Sequence, residues 1–219
     1  MAHPYWPLMD LAVRTPRLEL RYPDDEMAVR SVDLVLQGIH DPATSPFGEP
    51  WTDAPPDQLA RSSMQHHWRW RGLHTPDDWH VNLLALVDGE VVGMQGMFAK
   101  DFAQLRQAET GSWLGLAHQG QGLGQEMRAA ILHLLFAGLG AERALSGGWH
   151  DNAPSLGVSR ALGYEPNGDE IALRRGVPDR MLHLLLTRER WEQQRRDDIE
   201  IDGLDACRDL LVSPASPTG

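Results

Sequence analysis

The stretch Trp113-Leu-Gly-Leu-Ala-His-Gln119-Gly-Gln-Gly122-Leu-Gly124-Gln-Glu-Met127 admits few folds. An apolar run, Ser112 to Ala117, reads as the end of a buried strand that begins near Gln107. It breaks into a turn with three glycines, after which the hydrophobic period changes from that of a strand to that of a helix. Leu123, Met127, Ala130, Ile131, Leu134 and Leu135 make one stripe of a helix ending near Leu139-Gly140. The first turn of a helix leaves backbone N–H groups without partners, and glycine lets a ligand approach them, so this segment is an anion site. A diphosphate is the anion that suits it.

Two diphosphate chemistries are excluded by the spacing. A P-loop needs Lys-Ser or Lys-Thr after its last glycine, where this chain has Gln125-Glu126. A dinucleotide fingerprint needs G-x-G-x-x-G, whereas Gly120, Gly122 and Gly124 run as G-x-G-x-G, and no ribose-binding acid ends the strand that follows.

The remaining elements follow from periodicity and punctuation. Leu18, Leu20 and Tyr22 alternate with Glu19 and Arg21, giving a first strand with one buried face. Asp24 caps a helix whose stripe is Ala28, Val32, Val35 and Ile39, ending between Gly38 and Pro42. The proline-rich segment 40–56 is a long loop, and residues 57–72 form a helix entered through Pro55-Pro56. Two strands, 80–87 and 91–98, are joined by the hairpin dipeptide Asp88-Gly89. Lys100 to Arg106 is a loop into the strand Gln107 to Ala117. Arg143 to Trp149 is a strand, Asn152 opens a short helix that Gly163 closes, and Met181 to Thr187 is the last strand. Asp202 to Val212 is a small amphipathic helix, and residues 213–219 are a disordered tail. A mixed α/β sheet without internal repeats results.

Gln119-x-x-Gly122-x-Gly124 resembles the Q/R-x-x-G-x-G/A signature of the GNAT (GCN5-related) N-acyltransferases. Thr15-Pro-Arg-Leu-Glu-Leu-Arg21 is similar to the first strand of the branch containing ribosomal-protein N-acetyltransferases. Asn152-x-x-Ser155 with Ala161-Leu-Gly163-Tyr164 resembles a later family motif, and Leu186-Thr-Arg-Glu-Arg-Trp191 the closing strand. The chain is also similar to a mycobacterial subgroup thought to use succinyl-CoA. The resemblance implies a GNAT fold: a mixed, mostly antiparallel sheet flanked by helices, with central strands splayed at the coenzyme site. It divides the chain into an extension at 1–13, the acyltransferase domain at 14–191, a C-terminal extension at 192–212 that is a candidate dimer contact, and the tail.

It also implies roles. The backbone of Leu114, Gly115 and Leu116 pairs with the pantetheine arm. The run Gln119, Gly120, Gln121, Gly122, Leu123, Gly124 and Gln125 grips the pyrophosphate of acetyl-CoA or succinyl-CoA, with Asn152 and Arg160 at its margins. Ser155 donates a proton to the departing thiolate, or is simply a serine in the first turn of a helix capped by Asn152. Glu170, then Glu109, are the candidate bases, or solvated carboxylates beside a water chain. The 40–56 loop offers Phe47 and Trp51 as acceptor walls and Asp41, Glu49 and Asp53 as amine partners, or is a surface loop with its aromatics tucked in.

Composition narrows the partners. A net charge of −11 disfavours a nucleic-acid surface and suits a cationic acceptor, a protein lysine or N-terminus or a small amine. His66-His67 sit side by side on a helix and do not converge on a metal, so none is expected. Cys207 is the one cysteine and reads as a structural thiol. With neither a signal peptide nor an 18-residue apolar run, a cytoplasmic location is expected; the family resemblance and the apolar C-terminal segment imply a homodimer. The expected activity is acyl transfer from coenzyme A to a primary amine; a non-catalytic acyl-CoA sensor would use the same turn.

Overall fold

Backbone hydrogen bonds gather the strands into one sheet in the computed structural model, which describes residues 3–212. In chain order the elements are β1 (Ala12–Arg14), β2 (Glu19–Arg21), α1 (Asp25–Gln37), α2 (Pro56–Leu73), β3 (Asp78–Val87), β4 (Glu90–Lys100), α3 (Phe102–Leu105) and β5 (Gln107–Leu114). There follow α4 (Leu123–His133), β6 (Arg143–Trp149), α5 (Ala153–Ala161), β7 (Glu165–Arg174), β8 (Val177–Thr187), α6 (Arg188–Glu192), β9 (Glu200–Asp202) and α7 (Leu204–Leu211). The sheet order is β7-β8-β6-β5-β4-β3-β2-β1-β9, and every pairing is antiparallel except β5 with β6.

Local signals produced most of this. The Asp24 carboxylate accepts from the Met27 amide at 2.8 Å, which satisfies one of the orphan donors at the start of α1. Ala28, Val32 and Val35 then face inward, as their spacing requires. Asp88 and Gly89 both take positive φ, 51° and 80°, the handedness that matches strand twist in a two-residue hairpin. The stripe on α4 is buried, with Met127, Ala130, Ile131, Leu134 and Leu135 all at 0% exposure, and the helix runs on through a π turn at Leu134–Gly138.

Several expectations need correction. The strand expected to reach Ala117 stops at Leu114, because the Leu116 amide bonds the Gly38 carbonyl at 3.1 Å and residues Leu116–His118 wind into a 3-10 turn. The expected loop 100–106 holds the short helix α3, bracketed by Asp101 and Arg106 in left-handed conformations. The expected first strand is the second: β1 precedes it. After α5 the chain forms a hairpin, β7 and β8, where only its second half was expected. Pro166, Gly168 and an exposed, charged surface conceal β7 from any alternation rule, although Arg175-Gly176, at φ 50° and 79°, is a hairpin turn of the same handedness as Asp88-Gly89.

The two terminal segments meet on the sheet. β9 pairs antiparallel with β1, and α7 buries Leu204, Cys207 and Leu211 within the chain. The apolar face of that helix, offered by the sequence as a dimer contact, is therefore consumed internally. Burial pushes the Cys207 thiol up to about 11, consistent with a structural role. The tail at 213–219 lies outside the described residues. Among those described, no helix is long and apolar enough to cross a membrane.

The β9–α7 junction supplies a test of this closure. Gly203 has φ 74°, and a Cβ there would collide with the Asp10 carbonyl, whereas a Cβ at Gly176, φ 79°, meets nothing. Gly176→Ala should cost only the left-handed strain, about 1–2 kcal/mol. Gly203→Ala should cost clearly more in urea unfolding, since backbone must move; equal costs would show that the two termini do not pack as described.

Candidate active site

The site begins where a ladder ends. β5 and β6 pair in parallel over three positions, Gln107 with Arg143, Ala108 with Ala144 and Glu109 with Leu145. Beyond them β5 stays with β4 as far as Leu114, and β6 stays with β8 as far as Trp149. The strands fork, and residues 110–114 keep a backbone edge that no strand covers. Side chains supply part of what the edge lacks, Gln95 Nε2 donating to the Gly111 carbonyl at 3.0 Å and Gln119 Nε2 to that of Leu114 at 2.9 Å, and water or a ligand can pair with the remainder.

At the open end of that edge lies the glycine turn. Gly120 and Gly122 take φ 72° and 79°, and Gly122 is the N-cap of α4 without a capping side chain. The first helical bond runs from the Glu126 amide to the Gly122 carbonyl at 3.1 Å. The amides of Leu123, Gly124 and Gln125 have no acceptor among the described residues. Gln119 is a clamp: its Nε2 donates to the carbonyls of Ile39 at 2.8 Å and Leu114 at 2.9 Å, fixing where the turn leaves β5. Gln121 folds back onto the Ala117 carbonyl at 2.9 Å, and Arg17 holds the Gln121 carbonyl at 2.8 Å. The Gly115 amide is bound to Val92 and the Leu116 amide to Gly38, so the free edge is that of residues 110–114.

Strand alternation divides the fork between the two faces of the sheet. On one face stand Glu109, Gly147, His183, Met181 and Glu170, linked by the registers Glu109↔Leu145, Gly147↔His183 and Glu170↔Met181. They line a cavity of about 380 Å³ completed by Pro46, Gly48, Ser146 and Asn167. His183 Nε2 lies 3.5 Å from a Glu170 carboxylate oxygen. Desolvation raises the Glu109 carboxyl above the usual carboxylate range, against the opposing pull of His183. The sequence offered Glu109 and Glu170 from separate elements, and the fold brings them to one cavity. It gave no signal for His183, a lone histidine in an apolar strand.

The cavity's roof is the 40–56 loop, tied down through its backbone carbonyls. Arg174 Nε donates to Ser45 at 2.9 Å, Asn152 Nδ2 to Pro46 at 3.4 Å, Trp149 Nε1 to Phe47 at 2.9 Å and Arg175 to Pro42 at 3.1 Å. Arg174 also bridges Asp151 and Asp179, and Arg175 pairs with Asp53. Phe47 and Trp51 meet at a tilt of 41° with centroids 5.2 Å apart and pack over Val35, Ile39 and Leu59. Their side chains thus belong to a small core, while Pro46 and Gly48 line the cavity. The Asp41 carboxylate accepts from the Ala43 amide at 2.9 Å, an Asx turn outside the cavity. Asp53, held by Arg175, is equally occupied.

The other face carries α4 and α5. Asn152 Oδ1 accepts from the Ser155 amide at 3.2 Å, a true N-cap. A Cβ at Gly148 would lie 3.7 Å from Ser155 Oγ, so the absence of a side chain there leaves that hydroxyl beside the β6 backbone. Arg160 is exposed in the last turn of α5 and has no carboxylate partner among the described residues. A residue the sequence did not mark is Arg128, 3% exposed, whose guanidinium reaches Ser146 Oγ at 3.0 Å and Ser112 Oγ at 3.2 Å across the fork.

Residues 17–165 match the acetyltransferase (GNAT) domain family. The chain belongs to the GNAT family. Solved GNAT structures share the fold. Mycobacterium smegmatis RimJ, in complex with a coenzyme A disulfide, is 18% identical with a TM-score of 0.63, over 89% of this chain and 98% of that one. The ribosomal L7/L12 alpha-N-protein acetyltransferase RimL, solved with coenzyme A, is 17% identical with a TM-score of 0.63, over 79% and 95%. The microcin C7 self-immunity acetyltransferase MccE, bound to acetyl-CoA and AMP, is 14% identical with a TM-score of 0.60, over 78% and 93%. At such identities the likeness is one of fold.

Arg174 is the roof's principal tether, joining Ser45, Asp151 and Asp179. Arg174→Met should speed amide hydrogen exchange across residues 41–53 by about tenfold or more, as a low-stability segment loses its anchor. Exchange at the wild-type rate would mean that the aromatic cluster alone holds the loop.

Proposed function

We propose that this GNAT protein transfers an acetyl group from acetyl-CoA directly to a primary amine on a cationic acceptor. The fork between β5 and β6 carries this reading: an uncovered strand edge leads from the unpaired amides of the glycine turn to a cavity lined by carboxylates. The amides of Leu123, Gly124 and Gln125 suit the coenzyme diphosphate, and the Gly122 conformation lets it approach. From Leu114 to Thr110 the edge runs about 13 Å at 3.3 Å per residue, enough to take a pantetheine arm to the foot of the fork.

Aminolysis of a thioester needs a neutral amine, a site for charge on the carbonyl oxygen and a proton for the leaving sulfur. An alkyl ammonium of pKa about 10.4 costs on the order of 4–5 kcal/mol to deprotonate near neutrality. Glu109, desolvated at the fork's last ladder pair, is the base this geometry favours, with His183 and Glu170 completing the wall that receives the cation. The amine nitrogen attacks the carbonyl carbon, the C–N bond forms and the C–S bond breaks. Sulfur leaves with the bonding pair and takes a proton, for which Ser155 is the proposed donor. Glu109 takes the ammonium proton before attack, and the second N–H proton leaves the tetrahedral adduct to Ser155, replacing the one given to sulfur.

The same carboxylates bear on the donor. A succinyl chain would bring a third negative charge beside Glu109 and Glu170, where His183 is the one basic side chain in the cavity lining, so acetyl is the donor the cavity favours. Its volume and acidity suit a lysine side chain, an N-terminus or a small polyamine equally.

Calorimetric titration tests the donor. Acetyl-CoA and free coenzyme A should bind alike, and succinyl-CoA no better. Succinyl-CoA binding tenfold tighter, about 1.4 kcal/mol, would reverse the assignment; no binding by any of them would remove the coenzyme reading altogether. Binding without turnover on any amine would leave an acyl-CoA sensor. Activity should rise with pH through the elevated Glu109 pKa, because a base works only when deprotonated. Glu109→Gln should abolish that limb and lower kcat/KM about 100-fold or more, with coenzyme affinity retained.

A further inference from the structure

Arg128 is a buried cation without a counter-ion. Its side chain leaves α4, crosses beneath the fork and ends between Ser112 on β5 and Ser146 on β6, at 3.2 Å and 3.0 Å. Tyr164, also buried, reaches the same guanidinium, and its hydroxyl lies 3.2 Å from Thr110 Oγ1. The three side chains that bond Arg128, Ser112, Ser146 and Tyr164, are therefore all neutral hydroxyls. Glu126, two residues earlier on α4, is committed to Arg196 at 3.0 Å, and Glu109, Glu170 and His183 stand on the opposite face of the sheet. No carboxylate pairs with Arg128 among the described residues, and its Nε is buried without an acceptor.

A guanidinium cannot shed its proton to escape burial, and an uncompensated buried charge is costly. Such a group persists where a negative charge arrives during function. The charge that arrives at the foot of this fork, under the acetyltransferase reading on which this inference rests, is the thiolate released from coenzyme A. Ser146 both touches Arg128 and lines the acceptor cavity, so the cluster is continuous with the place where the bond breaks.

We propose that Arg128 is a positioning residue for the leaving group: acting through the Ser112 and Ser146 hydroxyls, it provides the fixed positive charge that holds the coenzyme sulfur as a thiolate. The two hydroxyls donate toward sulfur while their oxygens accept from the guanidinium, so the charge is relayed without a proton leaving Arg128. When the C–S bond breaks, the electron pair stays on sulfur and is stabilised there until the proton from Ser155 or solvent arrives.

The thiol of bound coenzyme A reports this directly, without turnover. A free thiol of this kind titrates near 8.5, by analogy with cysteine, and a nearby cation lowers that value. Binding of free coenzyme A is first established by calorimetry. The ultraviolet thiolate absorbance of the complex, minus that of protein alone, is then followed against pH. Cys207 does not interfere, since its buried thiol is pushed up to about 11.

In the wild-type complex the thiol should titrate at least one unit below free coenzyme A, a tenfold gain in thiolate. Arg128→Met should remove that shift, and Arg128→Lys, which keeps the charge, should restore at least part of it. A wild-type bound thiol that titrates with free coenzyme A overturns the proposal whatever the variants do, and so does a folded Arg128→Met complex that keeps the lowered value. Absence of coenzyme binding would instead overturn the acetyltransferase reading beneath it.

Discussion

The ladder between β5 and β6 is three residue pairs long, and the rest of the molecule is arranged around its ending. A sheet interior normally has no free edge, because each N–H and C=O finds a partner across the strand gap. Here β4 holds β5 on one side and β8 holds β6 on the other, so the two strands diverge while each remains half paired. α4 closes the fork from one face with an apolar stripe, and the proline-rich loop roofs it from the other. The edge that remains is held in place by β4 and has no strand on its other side.

Charge is segregated by the same fork. One face has hydroxyls, the helix start and a single buried guanidinium; the opposite face has Glu109, Glu170 and His183. Anionic coenzyme and cationic amine would then approach from opposite sides, each toward charge of the opposite sign, and meet only through the gap. The roof over the cavity is held by arginine, asparagine and tryptophan side chains bonded to loop carbonyls, which leaves the loop's own aromatics free to pack on α1 and α2. This is why Phe47 and Trp51 sit in a small core and only Pro46 and Gly48 reach the cavity.

Much of this was legible locally. The Asp24 cap, the Asp88-Gly89 hairpin, the stripe of α4 and the Asn152 cap each follow from interactions within a few residues, and each stands where the sequence puts it. The glycine turn was legible for the same reason, since positive φ at Gly120 and Gly122 is a property of the residues themselves. β1 and β9 escaped because each is three residues long without a flanking alternation, and β9 finds its partner, β1, nearly the whole chain away in sequence. β7 escaped because a strand exposed along most of its length has no hydrophobic face to display.

Amino-acid sequence by itself determined where this chain turns, caps and changes period, and so determined the glycine turn and the family's order of elements. Only the tertiary structure decided which side chains share a volume. Glu109, Glu170 and His183 come from three strands, and Arg128 meets Ser112 and Ser146 from three elements, with separations that no local rule spans. Backbone preferences act over a few residues, whereas desolvation and charge pairing act through space. The first can be read along the chain; the second exists only once the sheet has been assembled.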